Sequence, residues 1–205
     1  EQRERIIKYF DPLPFWYEPI EHQQVDRKKY NFSAITQRPM PMYHSWDSQN
    51  AWLRQIIGQN FLYMNPKRAR ELGIDDMDWA WVESPTGKIR VQVKHSEAVE
   101  PETVWTWNAI GKMAGAWNLA EDADEAVKGF LLNHLITEEL DWNNGEKISN
   151  SDPITGQAAW FDLRVKITKS NETGHWPQFK PLKPLKHMVE RAKMIRFGHE
   201  EVNGK

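Results

Sequence analysis

MNPKRARELGIDDMDWAWVESPTGKIRVQVKH, residues 64–95, carries the punctuation that decides the fold. Asn65 can cap a helix, Pro66 suits its first turn, Ala69 and Leu72 fall on one face, and Gly73 ends it. The spacing predicts a short helix over 65–73. Beyond it, Ile89, Val91 and Val93 alternate with Lys88, Arg90 and Gln92, while Ser84, Pro85, Thr86 and Gly87 supply turn residues. Helix, glycine, strand, turn and strand therefore follow one another, and the alternation is that of a half-buried antiparallel hairpin.

Working outward, FSAI at 32–35 reads as a strand, ETVWTWNAIG as a strand running into a loop, and AAWFDLRVKI as a last strand. ADEAVKGFLLNHLITEEL is predicted helical, with Val127, Leu131 and His134 or Leu135 facing inward. Residues 1–31 read as an extended lead-in, since Pro12, Pro14 and Pro19 crowd the segment. Past residue 168 the tail turns polar, with HMVERAKMIRF as a short surface helix. The expected class is mainly β with short helices, and the expected division is 1–31, 32–168 and 169–205.

The most polar loop follows the first strand. ITQRPMPMYHSWDSQNAWLRQ, residues 35–55, gathers Thr36, Arg38, His44, Ser45, Ser48 and Gln49, which offer hydrogen bonds in every direction. Arg38 can grip a phosphate in a fork, the hydroxyls can donate to phosphate or ribose oxygens, and the amides can meet a base edge. The plain alternative is a helix entry in which Asp47 or Ser48 caps NAWLRQI and Trp52 packs inward.

Composition narrows the classes. A chain of 205 residues has length enough for one cored domain, and 27 basic against 29 acidic side chains give no global field for nucleic acid. No cysteine is present, so any iron–sulfur ligand must come from elsewhere. No apolar run reaches the roughly 18 residues of a membrane span, and the opening EQRERIIKYF, which lacks an initiator Met, reads as that of a fragment, a processed chain or an excised domain. The seven His residues show no i, i+4 zinc pair within a helix, and neither a phosphate-binding glycine loop nor a nucleophile elbow is found. Eleven Trp residues are expected mostly in the core. A rival use for them is a Trp-rich module stacking on carbohydrate or another flat ligand through Trp46, Trp52 or Trp107.

ITQR, YHSWDSQN, the 64–95 block, NHLI and SDPITGQAAWFDLRVKI, in this order, resemble the C-terminal molybdopterin dinucleotide-binding domain of the dimethyl sulfoxide reductase superfamily. YHSWDSQNAWLRQI, VWTWNAIGK and GFLLNHLI are most similar in wording to sulfite dehydrogenase catalytic subunits, relatives of polysulfide and thiosulfate reductases. The resemblance implies a six-stranded double-psi β-barrel that holds the arms of bis-molybdopterin guanine dinucleotide (bis-MGD). Molybdenum or tungsten and an iron–sulfur cluster would be held by the parent subunit, and the domain would not turn over substrate alone. Its implied partners are the remaining domains, an iron–sulfur electron-transfer subunit and a membrane anchor subunit, on the cytoplasmic side, with no nucleic acid.

Carried over by position, the resemblance assigns Thr36 and Arg38 to the family's Thr-Gly-Arg turn, and His44, Ser45, Ser48 and Gln49 to the loop that reaches pterin and phosphate. It places Asn108 and Asn133 toward a pterin. Two positions depart from the pattern: Gln37 stands for the usual Gly, and WFD, with Trp160 and Phe161, stands where a basic residue is common.

Overall fold

The computed structural model describes residues 2–181 except 11, 15, 17, 45, 48–49, 109, 112–128, 137–138, 142–146, 153, 159–160 and 175–177. Two short helices, α1 (Gln2–Tyr9) and α2 (Ile20–Gln24), lead into β1 (Phe32–Gln37). Then come α3 (Ala51–Ile56), β2 (Leu62–Met64), α4 (Pro66–Glu71), β3 (Trp79–Glu83), β4 (Gly87–His95) and β5 (Thr103–Trp107). A 3₁₀ turn (Leu132–Leu135), β6 (Glu139–Asp141), β7 (Lys147–Ser149), β8 (Arg164–Lys169) and β9 (Gln178–Pro181) complete the order.

Six strands close on themselves in the order β2-β5-β1-β8-β3-β4, because β4 also pairs with β2. The closed ring leaves no long open edge within it. β1–β5 and β2–β4 are parallel, and the remaining barrel pairs are antiparallel. The nine-residue β4 serves three neighbours along its length, since β9 joins it at Gly87–Arg90 and β2 at Val93–His95. β9 thus extends the sheet into the segment whose polar composition reads as tail.

Alternation fills the barrel. Phe32 and Ala34, Leu62 and Met64, Ala80 and Val82, Ile89, Val91 and Val93, Val104, and Val165 and Ile167 all point into one buried cluster. Each large aliphatic side chain taken fully out of water contributes roughly 1.5–3 kcal/mol. Phe130, Leu132, Leu135 and Leu163 plug the cluster from the connections, so the core closes within this chain.

The 64–95 block folds as its residues dictate. Asn65 Oδ1 accepts from the N–H groups of Lys67 and Arg68, Pro66 opens α4, and Gly73 turns the chain at φ +69°. Ser84 Oγ accepts from the Thr86 and Gly87 N–H groups and donates to the Leu135 carbonyl at 2.7 Å, so the hairpin turn also anchors the 3₁₀ turn.

Three expectations are corrected. Residues 1–31 are not extended throughout: α1 ends before the first proline, and α2 starts directly after Pro19, whose fixed φ suits a helix entry. The helix expected across 123–140 is not formed where the chain is described; residues 129–131 carry no regular structure, Leu131 is extended, the 3₁₀ turn follows, and β6 begins at Glu139. Gly129 explains it, because its backbone lies against Gly111, where an added Cβ would meet Gly111 Cα at 2.7 Å. Third, the described Trp residues are not mainly core: Trp81 is buried, Trp79, Trp105 and Trp107 are half-buried, and Trp16, Trp46 and Trp52 are exposed. The expected 187–197 helix lies outside the described residues, and no described helix is long and apolar enough to cross a membrane.

Candidate functional site

β1 and β5 run parallel and in register from Ser33↔Thr103 to Gln37↔Trp107, so both strands end at the same rim. The ladder continues one step further, with the Asn108 N–H donating to the Gln37 carbonyl at 2.9 Å. Ends of parallel strands leave loops side by side, which is why two polar loops far apart in sequence meet here.

The loop after β1 is pinned by Pro39 and Met42, both buried, with a Met42 N–H to Pro39 carbonyl bond of 3.1 Å. Beyond Met42 it is knotted by Asp47, whose Oδ2 accepts the Tyr43 N–H at 2.8 Å and whose carbonyl accepts the Asn50 N–H. Asn50, and not Asp47, caps α3 through its Oδ1 and the Trp52 N–H. α3 buries none of its residues, and Trp52 is 78 % exposed, contrary to the inward packing of a plain helix entry.

His44 sits at the apex of that loop in the left-handed region, φ +50°. For a residue with a Cβ this conformation costs roughly 1–2 kcal/mol. The ring lies edge-on to Tyr43, with centroids 5.4 Å apart, and its Nδ1 is 3.3 Å from Asn108 Nδ2. Asn108 Oδ1 is buried and has no partner among the described residues. A buried carbonyl oxygen left in that state costs about 1–3 kcal/mol, so a donor is wanted there.

Thr36 is half-buried beside Thr106 in the parallel register, and Arg38 leaves β1 exposed. Gln37 keeps ordinary strand geometry opposite Trp107, so the family's glycine is not required for the ladder here. Asn133 is exposed on the 3₁₀ turn, which is anchored separately through Ser84. Beside it, burial pushes the His134 imidazole below its ordinary value, favouring the neutral ring. Ser45, Ser48, Gln49 and Trp160 lie outside the described residues, and Phe161 is 57 % exposed. The structure therefore brings His44, Asn108 and the end of β1 together, and it sets Asn133 on its own anchored turn.

Sequence reasoning missed Asn60. Its Nδ2 lies 2.9–3.0 Å from the carbonyls of Trp107, Ile110 and Phe130, and its Oδ1 accepts from Thr106 Oγ1 and the Trp107 N–H. One buried amide thus ties the β5 exit to the Phe130 segment and holds Asn108 at the rim. Its only signal in the sequence is an amide, preceded by Gln59, just before an apolar strand, which a loop asparagine would share.

An adjoining cleft of about 430 Å³ is lined by Ile56, Gln59, Phe61, Tyr63, Lys94 and Trp107, among others. Tyr63 stacks on Trp105 at 3.9 Å, and Trp107 packs edge-on against both. Trp107 is therefore engaged with its neighbours, while Trp46 and Trp52 stand open to solvent.

Comparison with known proteins decides what this rim belongs to. A profile described as the molydopterin dinucleotide binding domain matches residues 32–151, more than half the chain. The chain belongs to the molybdopterin dinucleotide-binding domain family. The chain is 61 % identical over 188 residues to a sulfite dehydrogenase subunit of Allochromatium vinosum, covering 89 % of this chain and 19 % of that one. It is 31 % identical over 166 residues to dopamine dehydroxylase of Eggerthella lenta, covering 77 % of this chain and 14 % of the relative. Among solved structures, acetylene hydratase from Pelobacter acetylenicus superposes with a TM-score of 0.57 at 21 % identity, over 78 % of this chain and 22 % of that one. The chain thus covers 14–22 % of the length of these relatives, and the last likeness shows the barrel fold.

Proposed function

We propose that this domain holds the dinucleotide arms of bis-MGD in a molybdenum or tungsten oxidoreductase acting on a sulfur oxyanion such as sulfite. The observation that carries the cofactor role is Asn108 Oδ1, buried without a partner among the described residues, beside His44 where the β1 and β5 loops meet. An uncharged acceptor that wants a donor, next to an imidazole and at the strand end from which Arg38 leaves exposed, fits a flat, phosphate-bearing ligand. The sulfur-oxyanion substrate is supported by the 61 % identity to a sulfite dehydrogenase subunit.

In this reading Arg38 and Thr36 meet phosphate, with Ser45, Ser48 and Gln49 completing the loop. His44, Asn108 and Asn133 meet the heterocycles. When bound, the metal with its dithiolene ligands supplies the redox chemistry. This chain's residues bind, orient and keep water from the dinucleotide. The functional unit is residues 32–168, with 1–31 as lead-in and 169–205 as tail; an iron–sulfur cluster, an electron-transfer subunit and a membrane anchor complete the parent assembly.

The test is made in the full-length subunit. The double substitution His44→Ala with Asn108→Ala should sharply lower the GMP and pterin released on denaturation, and the metal content with them, while the protein stays folded by circular dichroism. Wild-type GMP and pterin content in that variant would overturn the reading.

A further inference from the structure

Met40, Tyr43, Trp46, Trp52 and Ile56 are all exposed, and all fall between residues 40 and 56, along the rim loop and α3. Trp52 and Ile56 are four residues apart, so they share one face of α3, where they are 78 % and 68 % exposed. A helix of a globular domain ordinarily turns such a stripe onto a neighbour. α3 buries none of its residues, so its stripe stays open.

The open face runs on into the aromatic cleft. Lys94, Tyr63 and Trp105 form one row across β4, β2 and β5. The row lies on the outside of the barrel, because the alternate residues Val93, Met64 and Val104 take the inward places. Phe61 and Trp107 stand edge-on to Tyr63, and together with Ile56 they wall the cleft of about 430 Å³. Lys94 is the one charged residue in its lining. The Lys94 ammonium lies over the Phe61 ring, 5.4 Å from its centroid, and forms no ion pair among the described residues.

A continuous apolar face that a chain leaves open marks an interaction surface, and Trp and Tyr are enriched in such surfaces. The cover that fits this one is apolar and brings a carboxylate to Lys94. Chain enough to supply it lies close by, since this chain covers only 19 % of the sulfite dehydrogenase relative and α3 follows directly on the rim loop.

We propose that the α3 face and the aromatic cleft seat the remaining chain of the parent subunit, which lays an apolar segment over Trp52, Ile56 and Tyr63 and sets a carboxylate against Lys94. The proposal rests on the parent subunit of the proposed function and not on the dinucleotide cradle, because His44 and Asn108 are no part of the cleft walls.

Hydroxyl-radical footprinting reads the Trp52 indole, with the buried Trp81 as internal reference. Trp52 should be oxidised several-fold more slowly in the full-length subunit than in the 205-residue chain, with or without bound dinucleotide. Equal oxidation in the two would overturn the proposal. So would protection confined to the dinucleotide-loaded subunit, since the ligand would then be the cover, and so would protection that rises with concentration in the 205-residue chain alone, since the cover would then be a second copy. Zero-length carbodiimide coupling of the full-length subunit, which joins an ammonium to a carboxylate in contact with it, should link Lys94 to an Asp or Glu outside these 205 residues. Lys94→Glu should bring Trp52 oxidation in the subunit toward that of the chain alone, and Lys94→Gln should do so less. No such link, together with unchanged oxidation in Lys94→Glu, would overturn the charged half of the contact. GMP and pterin content, measured on the same subunit, keep the two readings apart: the docking face can fail while the dinucleotide is retained, and the reverse.

Discussion

Glu21 Oε1 accepts the backbone N–H of Arg164 at 3.5 Å, which docks α2 onto the start of β8. Glu21 is 1 % exposed, and its Oε2 is buried with no hydrogen-bond partner among the described residues. The Arg164 guanidinium is committed elsewhere, with Nε on the Tyr30 carbonyl and one terminal nitrogen on Ser33 Oγ. Burial, and secondarily the charge of Asp162, raise the carboxyl from 4.5 to about 7, against the lowering effect of the Arg164 N–H and Asn150.

A raised acid pKa means that the folded chain holds a proton the unfolded chain has released. Stability from Glu21 is therefore fully present below about pH 4.5 and is lost as pH rises to about 7. The loss is on the order of 3 kcal/mol at most. Urea midpoints taken from about pH 5 to about pH 8 should fall in wild type, and the fall should flatten in Glu21→Gln. An equal slope in the variant would place the titration elsewhere.

Asn60 is the second testable joint. Removing its amide leaves Thr106 Oγ1 and the carbonyls of Ile110 and Phe130 without the partner that joins them. Asn60→Ala should cost about 3–4 kcal/mol, and Thr106→Val, which gives up one of these bonds, about 1 kcal/mol. Asn60→Asp, which sets a carboxylate against three carbonyls, should be no milder than Asn60→Ala. Equal losses for Asn60→Ala and Thr106→Val in chemical denaturation would show that the hub is not cooperative.

Gly111 and Gly129 cross backbone on backbone next to that hub. A Cβ on Gly111 would lie 2.2 Å from the Phe130 carbonyl oxygen, whereas one on Gly73 would meet nothing within 4 Å. Gly73→Ala therefore suffers only the strain of φ +69°, about 1 kcal/mol, while Gly111→Ala must force the two main-chain segments apart. Thermal melts should rank Gly111→Ala well below Gly73→Ala, by about 2 kcal/mol or more. The reverse order would mean that the crossing opens without cost.

Local signals made some of this molecule readable. Asn65, Pro66 and Gly73 punctuate α4 through contacts within a few residues, and Ile89, Val91 and Val93 carry their own face assignment. The 129–141 segment was not readable, because Leu131, Leu132 and Leu135 fit a helical spacing while the deciding contact, Gly129 on Gly111, lies 18 residues away. The same holds at the rim. His44 and Asn108 each stand out as polar residues in a loop, yet their contact spans 64 positions and exists because β1 and β5 are parallel and in register. No local pattern encodes that pairing; the resemblance to known domains assigns each residue toward the cofactor without pairing them.

The last prediction uses Arg38, which leaves β1 exposed one residue beyond Gln37. Since Gln37 is held in the ladder by its own carbonyl and Asn108, truncating the neighbouring guanidinium removes no core contact. Arg38→Ala should therefore leave the melting temperature of the chain unchanged. In the full-length subunit it should weaken retention of the dinucleotide by roughly 10- to 100-fold, the worth of a charged hydrogen bond to phosphate. Arg38→Lys should restore only some of it, since an ammonium keeps the charge but not the two-pronged geometry. Metal and GMP content measured after dialysis would separate these outcomes, and full retention in Arg38→Ala would remove Arg38 from the phosphate contacts while leaving the ring contacts of His44 and Asn108 to be judged on their own.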